Sequence, residues 1–159
     1  MVDDGVMIDP WVKRFLRWSG VFLLLGLASG YLPLGHYLLW GDAMQCSWAP
    51  VHGHVILLGW LGMTAFALTY RALFGAGEPA PPERLVRRHF VLCVTGVVGV
   101  LAHGALGWFV LAHLEGHIPE ATYGWLWHGI DGLFLTVYAA GCVCFWFAIR
   151  PALRRAVAG

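Results

Sequence analysis

The charged residues of this 159-residue chain sit in a few short stretches, and the uncharged runs between them constrain the fold more than any motif does. No Asp, Glu, Lys or Arg occurs from Trp18 to Gly41, from Ala43 to Tyr70 or from His89 to Leu114. From Ala121 to Ile149 the only such residue is Asp131. An α-helix needs roughly 20 apolar residues to cross about 30 Å of hydrocarbon, and every run is longer. Transmembrane β-strands are shorter and alternate polar with apolar residues, which these runs do not. Composition agrees: at 59% hydrophobic and 12% charged, a water-soluble domain of this length could not cover its apolar surface. The expectation is an all-α polytopic membrane protein. A single domain over 1–159 forms a four-transmembrane-helix bundle, with helices at roughly 12–34, 50–74, 86–113 and 121–150.

Orientation follows from the basic residues. Lys13, Arg14 and Arg17 precede the first run, Arg71, Arg84, Arg87 and Arg88 lie between the second and third, and Arg150, Arg154 and Arg155 follow the fourth. With four crossings all ten fall on one side, while the opposite connections hold Asp42, Glu115 and Glu120. The positive-inside rule places the basic side in the cytoplasm. The chain is therefore expected in the cytoplasmic membrane, multi-pass, with both termini inside. A cleaved signal sequence is the competing reading of the first run, and a retained helix is the one adopted.

The connections carry few further signals. Gly75 to Arg84 is rich in Gly and Pro and reads as a flexible cytoplasmic link. The first outer connection holds Pro33, Gly35, Gly41 and Pro50, with Tyr37, Trp40 and Trp48 suited to the membrane interface. Pro50 fits the first turn of the second helix, where its missing N–H removes no bond. Cys93, Cys142 and Cys144 fall inside runs, where a thiol behaves as a small apolar group. Cys46 has no outer partner for a disulfide; its nearness to Met44, His52 and His54 leaves a soft-metal reading open beside ordinary packing.

Chemistry enters with the eight histidines: His36, His52, His54, His89, His103, His113, His117 and His128. Ionisable groups inside a bilayer are costly and mark functional sites. On the topology above, His52, His54, His103 and His128 all lie toward the outer leaflet, on three helices. The bland reading is that each hydrogen-bonds a neighbouring helix and does nothing more. Four imidazoles at comparable depth favour convergence on a metal or a haem. Residues 52 and 54 point to nearly opposite sides of a regular helix, so they serve different sites, or one binds and the other hydrogen-bonds. Gly53 between them bares the backbone to a large flat ligand. Gly96, Gly99 and Gly107 share a face with His103, which fits either close helix packing or room for a macrocycle. Asp131 lies three residues after His128 on the same face. It reads as a carboxylate that orients an imidazole or carries a proton.

The segment VHGHVILLGWLGMTAFALTYR (Val51 to Arg71) resembles the haem-ligating helix of the haem-copper oxidase superfamily's catalytic subunit, nitric oxide reductases above all. RRHFVLCVTGVVGVL (Arg87 to Leu101) is similar to the helix that follows it there. Short stand-alone membrane proteins with the same H-x-H-xxxx-GW pattern are also similar. The resemblance implies that His52 serves a high-spin haem and His54 a low-spin one. It covers about two helices, where the superfamily's subunit has twelve or more. The chain has no His-His pair for a second metal and no counterpart of the covalent Tyr-His link.

Four functions compete on this evidence. The first is a b-type haem protein that moves electrons or binds a diatomic gas, NO or O2, through histidine-ligated haem, with His52, His54, His103 and His128 as candidate ligands. The second is a small oxidoreductase of the nitric oxide reductase or oxidase kind, completed by oligomerisation. The third is a copper- or zinc-handling protein using His52, His54, Cys46 and the His113-Leu114-Glu115-Gly116-His117 motif. The fourth is a structural subunit. No C-x-x-C-H attachment motif, Walker loop or dinucleotide fingerprint is present, so the haem expected is non-covalent haem b, with copper the lesser alternative. Expected partners are the lipid bilayer, a second or third copy of the chain (a homodimer or homotrimer) and a redox partner, with no nucleic acid.

Overall fold

A computed structural model describes the backbone at residues 8–40, 48–75, 79–114 and 120–158, and side chains at 8–31, 51–75, 79–107 and 128–157. The chain is all-helical, a bundle of four helices. We label them α1 (Ile8–Trp40), α2 (residues 48–74), α3 (Glu83–Leu114) and α4 (Glu120–Ala158). An uncharged run in lipid must satisfy every backbone group internally, which is why each run becomes one long helix. The helices extend past the expected ends: α1 runs on to Trp40, and α4 reaches Ala158.

Local sequence explains how α2 ends and α3 begins. The carbonyl of Pro82 accepts the N–H groups of Leu85 and Val86 at 2.9 and 3.3 Å, starting α3 directly after Pro81-Pro82. Glu83 in that first turn and Arg71 in the last turn of α2 complement their helix dipoles.

The second helix is not uniform. Trp48–His54 is α-helical, Val55–Gly62 is π-helical, and Met63–Phe74 returns to α. Its buried residues Val51, Val55, Gly59, Met63 and Ala67 recur every four positions. A regular α-helix would carry such a stripe about 160° round its axis in four steps. The wider π turn keeps the stripe on one face.

The helix α1 packs along α2, α3 packs along α4, and α2 joins the two pairs. Aromatic rings fill the half of the bundle nearest the α2–α3 connection: Phe15 packs on Phe66, Tyr70, His89 and Phe90 with centroids 5.0–6.4 Å away. The outward faces are apolar. Leu24 on α1, Leu57 on α2, Leu106 on α3 and Leu133 on α4 are 69, 57, 58 and 60% exposed. Exposed leucines on every side are a liability in water and what a lipid-facing surface requires. Among the described residues, the segments Val51–Phe74, Glu83–Gly107 and His128–Val157 are long and apolar enough to cross a membrane. The protein is thus a helical bundle of multi-pass membrane type.

Candidate functional site

The site is set by the register of α3 against α4. Each step of three or four residues up α3 meets a comparable step down α4. A Cβ on Gly141 would lie 2.7 Å from Cys93 Sγ, and one on Gly96 would lie 2.8 Å from Tyr138 Cβ. A Cβ on Gly99 would run into the Phe134 ring. One further turn brings His103 opposite Asp131. The Gly96–Gly99 face is therefore occupied by α4, so close helix packing, rather than space for a macrocycle, accounts for these glycines.

The sequence places Asp131 on the His128 face, as a carboxylate that orients an imidazole or carries a proton. It reaches across to α3 instead: His103 Nδ1 donates to Asp131 Oδ1 at 2.8 Å. The imidazole is almost fully buried and the carboxylate a quarter exposed. In the neutral ring, a proton held on Nδ1 puts the lone pair on Nε2. A carboxylate behind Nδ1 also raises the basicity of that nitrogen and fixes the ring plane.

His52 is anchored in the same manner by a different helix. Its Nδ1 donates to the carbonyl of Gly26 at 2.6 Å. The ring lies against Gly30, where a Cβ would come within 2.6 Å of it, so α1 offers a bare seat for this side chain. The neighbouring Val51 packs on Gly104, whose Cβ would lie 2.5 Å from it. His52 and His103 are each one residue from that contact and so share one level of the bundle. They turn in different directions, His52 toward α1 and His103 toward α4. Among the described residues, no three His, Cys, Asp or Glu side chains gather as a metal-binding group.

The other two candidates lie nearer the surface. His54 is half-buried and His128 exposed. Bare backbone adjoins both: Gly53, Gly129 and Gly132 have nothing within 4 Å of the position a Cβ would take. The Met44–Cys46 pair and the His113–His117 motif of the copper or zinc reading lie outside the described residues, as do the loop carboxylates Asp42 and Glu115.

Two features were not expected. The first is the π-helical segment, which begins directly after His54. Tyr138 Oη on α4 donates to the carbonyl of Leu58 at 3.1 Å and sits over Gly62, while Gly59 receives Phe22 of α1. Thr64 Oγ1 donates to the carbonyl of Trp60 at 2.8 Å and pairs with Ser19 Oγ at 2.6 Å. Such wide turns recur at functional sites because they re-aim the residues beside them. The sequence held no clear signal for it, since Ile56, Leu57, Leu58 and Leu61 are as apolar as the buried stripe between them. The second is His89, fully buried, whose Nδ1 is hydrogen-bonded to Tyr70 Oη at 3.1 Å. Phe66 and Phe145 enclose it at 4.4 and 5.1 Å between ring centroids. Its place near the α2–α3 connection separates it from His52 and His103.

No family model, no curated protein and no solved structure matches this chain. The residues and their geometry carry the functional reading.

Proposed function

We propose that this protein is a b-type haem-binding membrane protein that transfers electrons or binds NO or O2. Its four helices cross the cytoplasmic membrane with both termini inside, as the one-sided placement of all ten Lys and Arg residues supports. The observation that carries the haem reading is the Nδ1 anchoring of His52 and His103 at one level of the bundle. Backbone carbonyls and carboxylates behind Nδ1 are the usual supports of a ligating imidazole, because they fix the tautomer and aim Nε2. The resemblance of Val51 to Arg71 to a haem-ligating helix adds to this, with His54 the favoured axial ligand and His103 or His128 its partner.

The residues fit such a group in two respects. The anchored rings hold their proton on Nδ1, which leaves Nε2 as the basic nitrogen, and Gly53, Gly129 and Gly132 bare the backbone beside His54 and His128 to a flat ligand. When bound, haem supplies a one-electron couple and, with an open coordination position, a site for a diatomic gas. The protein's part is orientation and proton handling: Asp131 holds the His103 ring, and Gly26 holds His52. The outward exposure of His128 and its glycines supports a second copy of the chain completing the site. The same feature favours, as a second reading, a nitric oxide reductase-like or oxidase-like enzyme assembled by oligomerisation.

Reduced-minus-oxidised spectra of His52→Ala, His54→Ala, His103→Ala and His128→Ala test the assignment. Loss of haem at His54 with retention at His52 indicates one haem, and two separable losses indicate two. Wild-type spectra and haem content in all four variants would remove every proposed ligand.

A further inference from the structure

The cytoplasmic end of α4 carries a feature that haem binding does not use. Trp146, Arg150, Leu153, Arg154 and Val157 recur at helical spacing on one face and line a shallow, open hollow. That face points away from the bundle, since Ala148, Ile149 and Ala152 on the other side are the buried residues of this stretch. Pro151 lies in the same turn and has no N–H, so the Phe147 carbonyl loses its usual helical donor.

We propose that this hollow binds the headgroup of an anionic phospholipid, such as a phosphatidylglycerol. The chemistry of its wall is specific to that class. Arg150 and Arg154 lie one turn apart, and planar guanidinium groups grip phosphate oxygens in pairs. Among the described residues, no acidic side chain lines the hollow to compete for the two cations. Arg150 is the first charge after the long apolar run of α4, which puts both arginines where hydrocarbon gives way to headgroups. Trp146, 53% exposed one turn toward the membrane centre, suits the same boundary. Val143 and Phe147 are exposed on the membrane side of the arginines and offer apolar surface to an acyl chain. A soluble phosphate would meet the cations alone; a phospholipid meets the cations, the indole and the apolar surface together. This inference rests on α4 crossing the membrane and is independent of haem.

Near a membrane surface each arginine favours an anionic lipid by about fivefold, so the pair gives roughly 30-fold. The test uses the whole protein in vesicles carrying brominated lipid, with tryptophan quenching as the readout. Brominated phosphatidylglycerol should quench more strongly than brominated phosphatidylcholine. That excess should vanish in Trp146→Phe and in Arg150→Gln/Arg154→Gln. It should survive in Arg71→Gln/Arg84→Gln, which removes two exposed cations of the same side elsewhere. It should also survive millimolar inorganic phosphate. An unchanged preference in the Arg150/Arg154 variant, or an equal loss in the Arg71/Arg84 variant, would show diffuse attraction and no site. Displacement by inorganic phosphate would overturn the lipid assignment.

Discussion

Replacing Asp131 tests the register of α3 against α4 and the anchoring of His103 together. The contact is a 2.8 Å bond from a nearly fully buried imidazole to a carboxylate one quarter exposed. Hydrogen bonds to charged groups contribute about 1.5–3 kcal/mol, and the partial exposure of Asp131 places this one toward the lower end. Asp131→Asn keeps an acceptor and loses the charge, so the expected loss is about 1 kcal/mol. Asp131→Ala removes the acceptor from a buried N–H, for an expected loss of about 2–3 kcal/mol. For a chain of this length each kcal/mol shifts Tm by about 2–4 °C. Thermal unfolding in one detergent should therefore rank wild type, Asn and Ala in that order. A double-mutant cycle isolates the pair: Asp131→Ala with His103→Leu should show coupling of about 1.5 kcal/mol. Asp131→Ala with His128→Ala should show none. Coupling to His128 and not to His103 would mean that the register, and the anchoring argument with it, is wrong.

Other substitutions follow from the same contacts. Gly99→Ala should destabilise by about 1–3 kcal/mol because its Cβ meets Phe134, with partial recovery on adding Phe134→Leu; Gly132→Ala, in open space, should stay within about 0.5 kcal/mol of wild type. Equal unfolding temperatures for the two alanine variants would contradict the packing described. Gly30→Ala should push the His52 ring off its seat and reproduce the optical spectrum of His52→Ala; a wild-type spectrum would separate that seat from the cofactor. Tyr138→Phe removes the donor to the Leu58 carbonyl and should lower stability by about 1 kcal/mol, and no change in Tm would mean that this bond does not support the π segment. Tyr70→Phe takes the hydrogen-bond partner from the buried His89 Nδ1 and should remove about 1–3 kcal/mol, with an unshifted Tm as the contrary result.

Much of the fold was legible because the bilayer leaves so few choices. The uncharged runs gave the helix number, and the charges between them gave the boundaries to within several residues. What was not legible depended on pairs of helices. Periodicity within α4 put Asp131 beside His128, since residues three apart share a face. Only the meshing of Gly96, Gly99 and Gly141 with Tyr138, Phe134 and Cys93 shows that the carboxylate lies opposite His103. The same meshing decides between the two explanations of the glycine face. For His52, both outcomes were open from its spacing with His54, and the bond to Gly26 arises from α1, whose small residues gave no separate signal. The π segment altered the angular relation between the H-x-H pair and everything after it, and an assumption of 100° per residue could not include that.

The most direct test of the central claim is the haem content of the purified wild-type protein. The chain should be isolated from membranes in mild detergent, with a pyridine haemochrome assay and metal analysis on the same sample. The account predicts haem b at one or two per chain, released by acidified organic solvent, with a Soret band that sharpens and shifts on reduction. A colourless preparation that takes up no added haem would contradict it, and stoichiometric copper or zinc in that preparation would establish the metal-handling alternative.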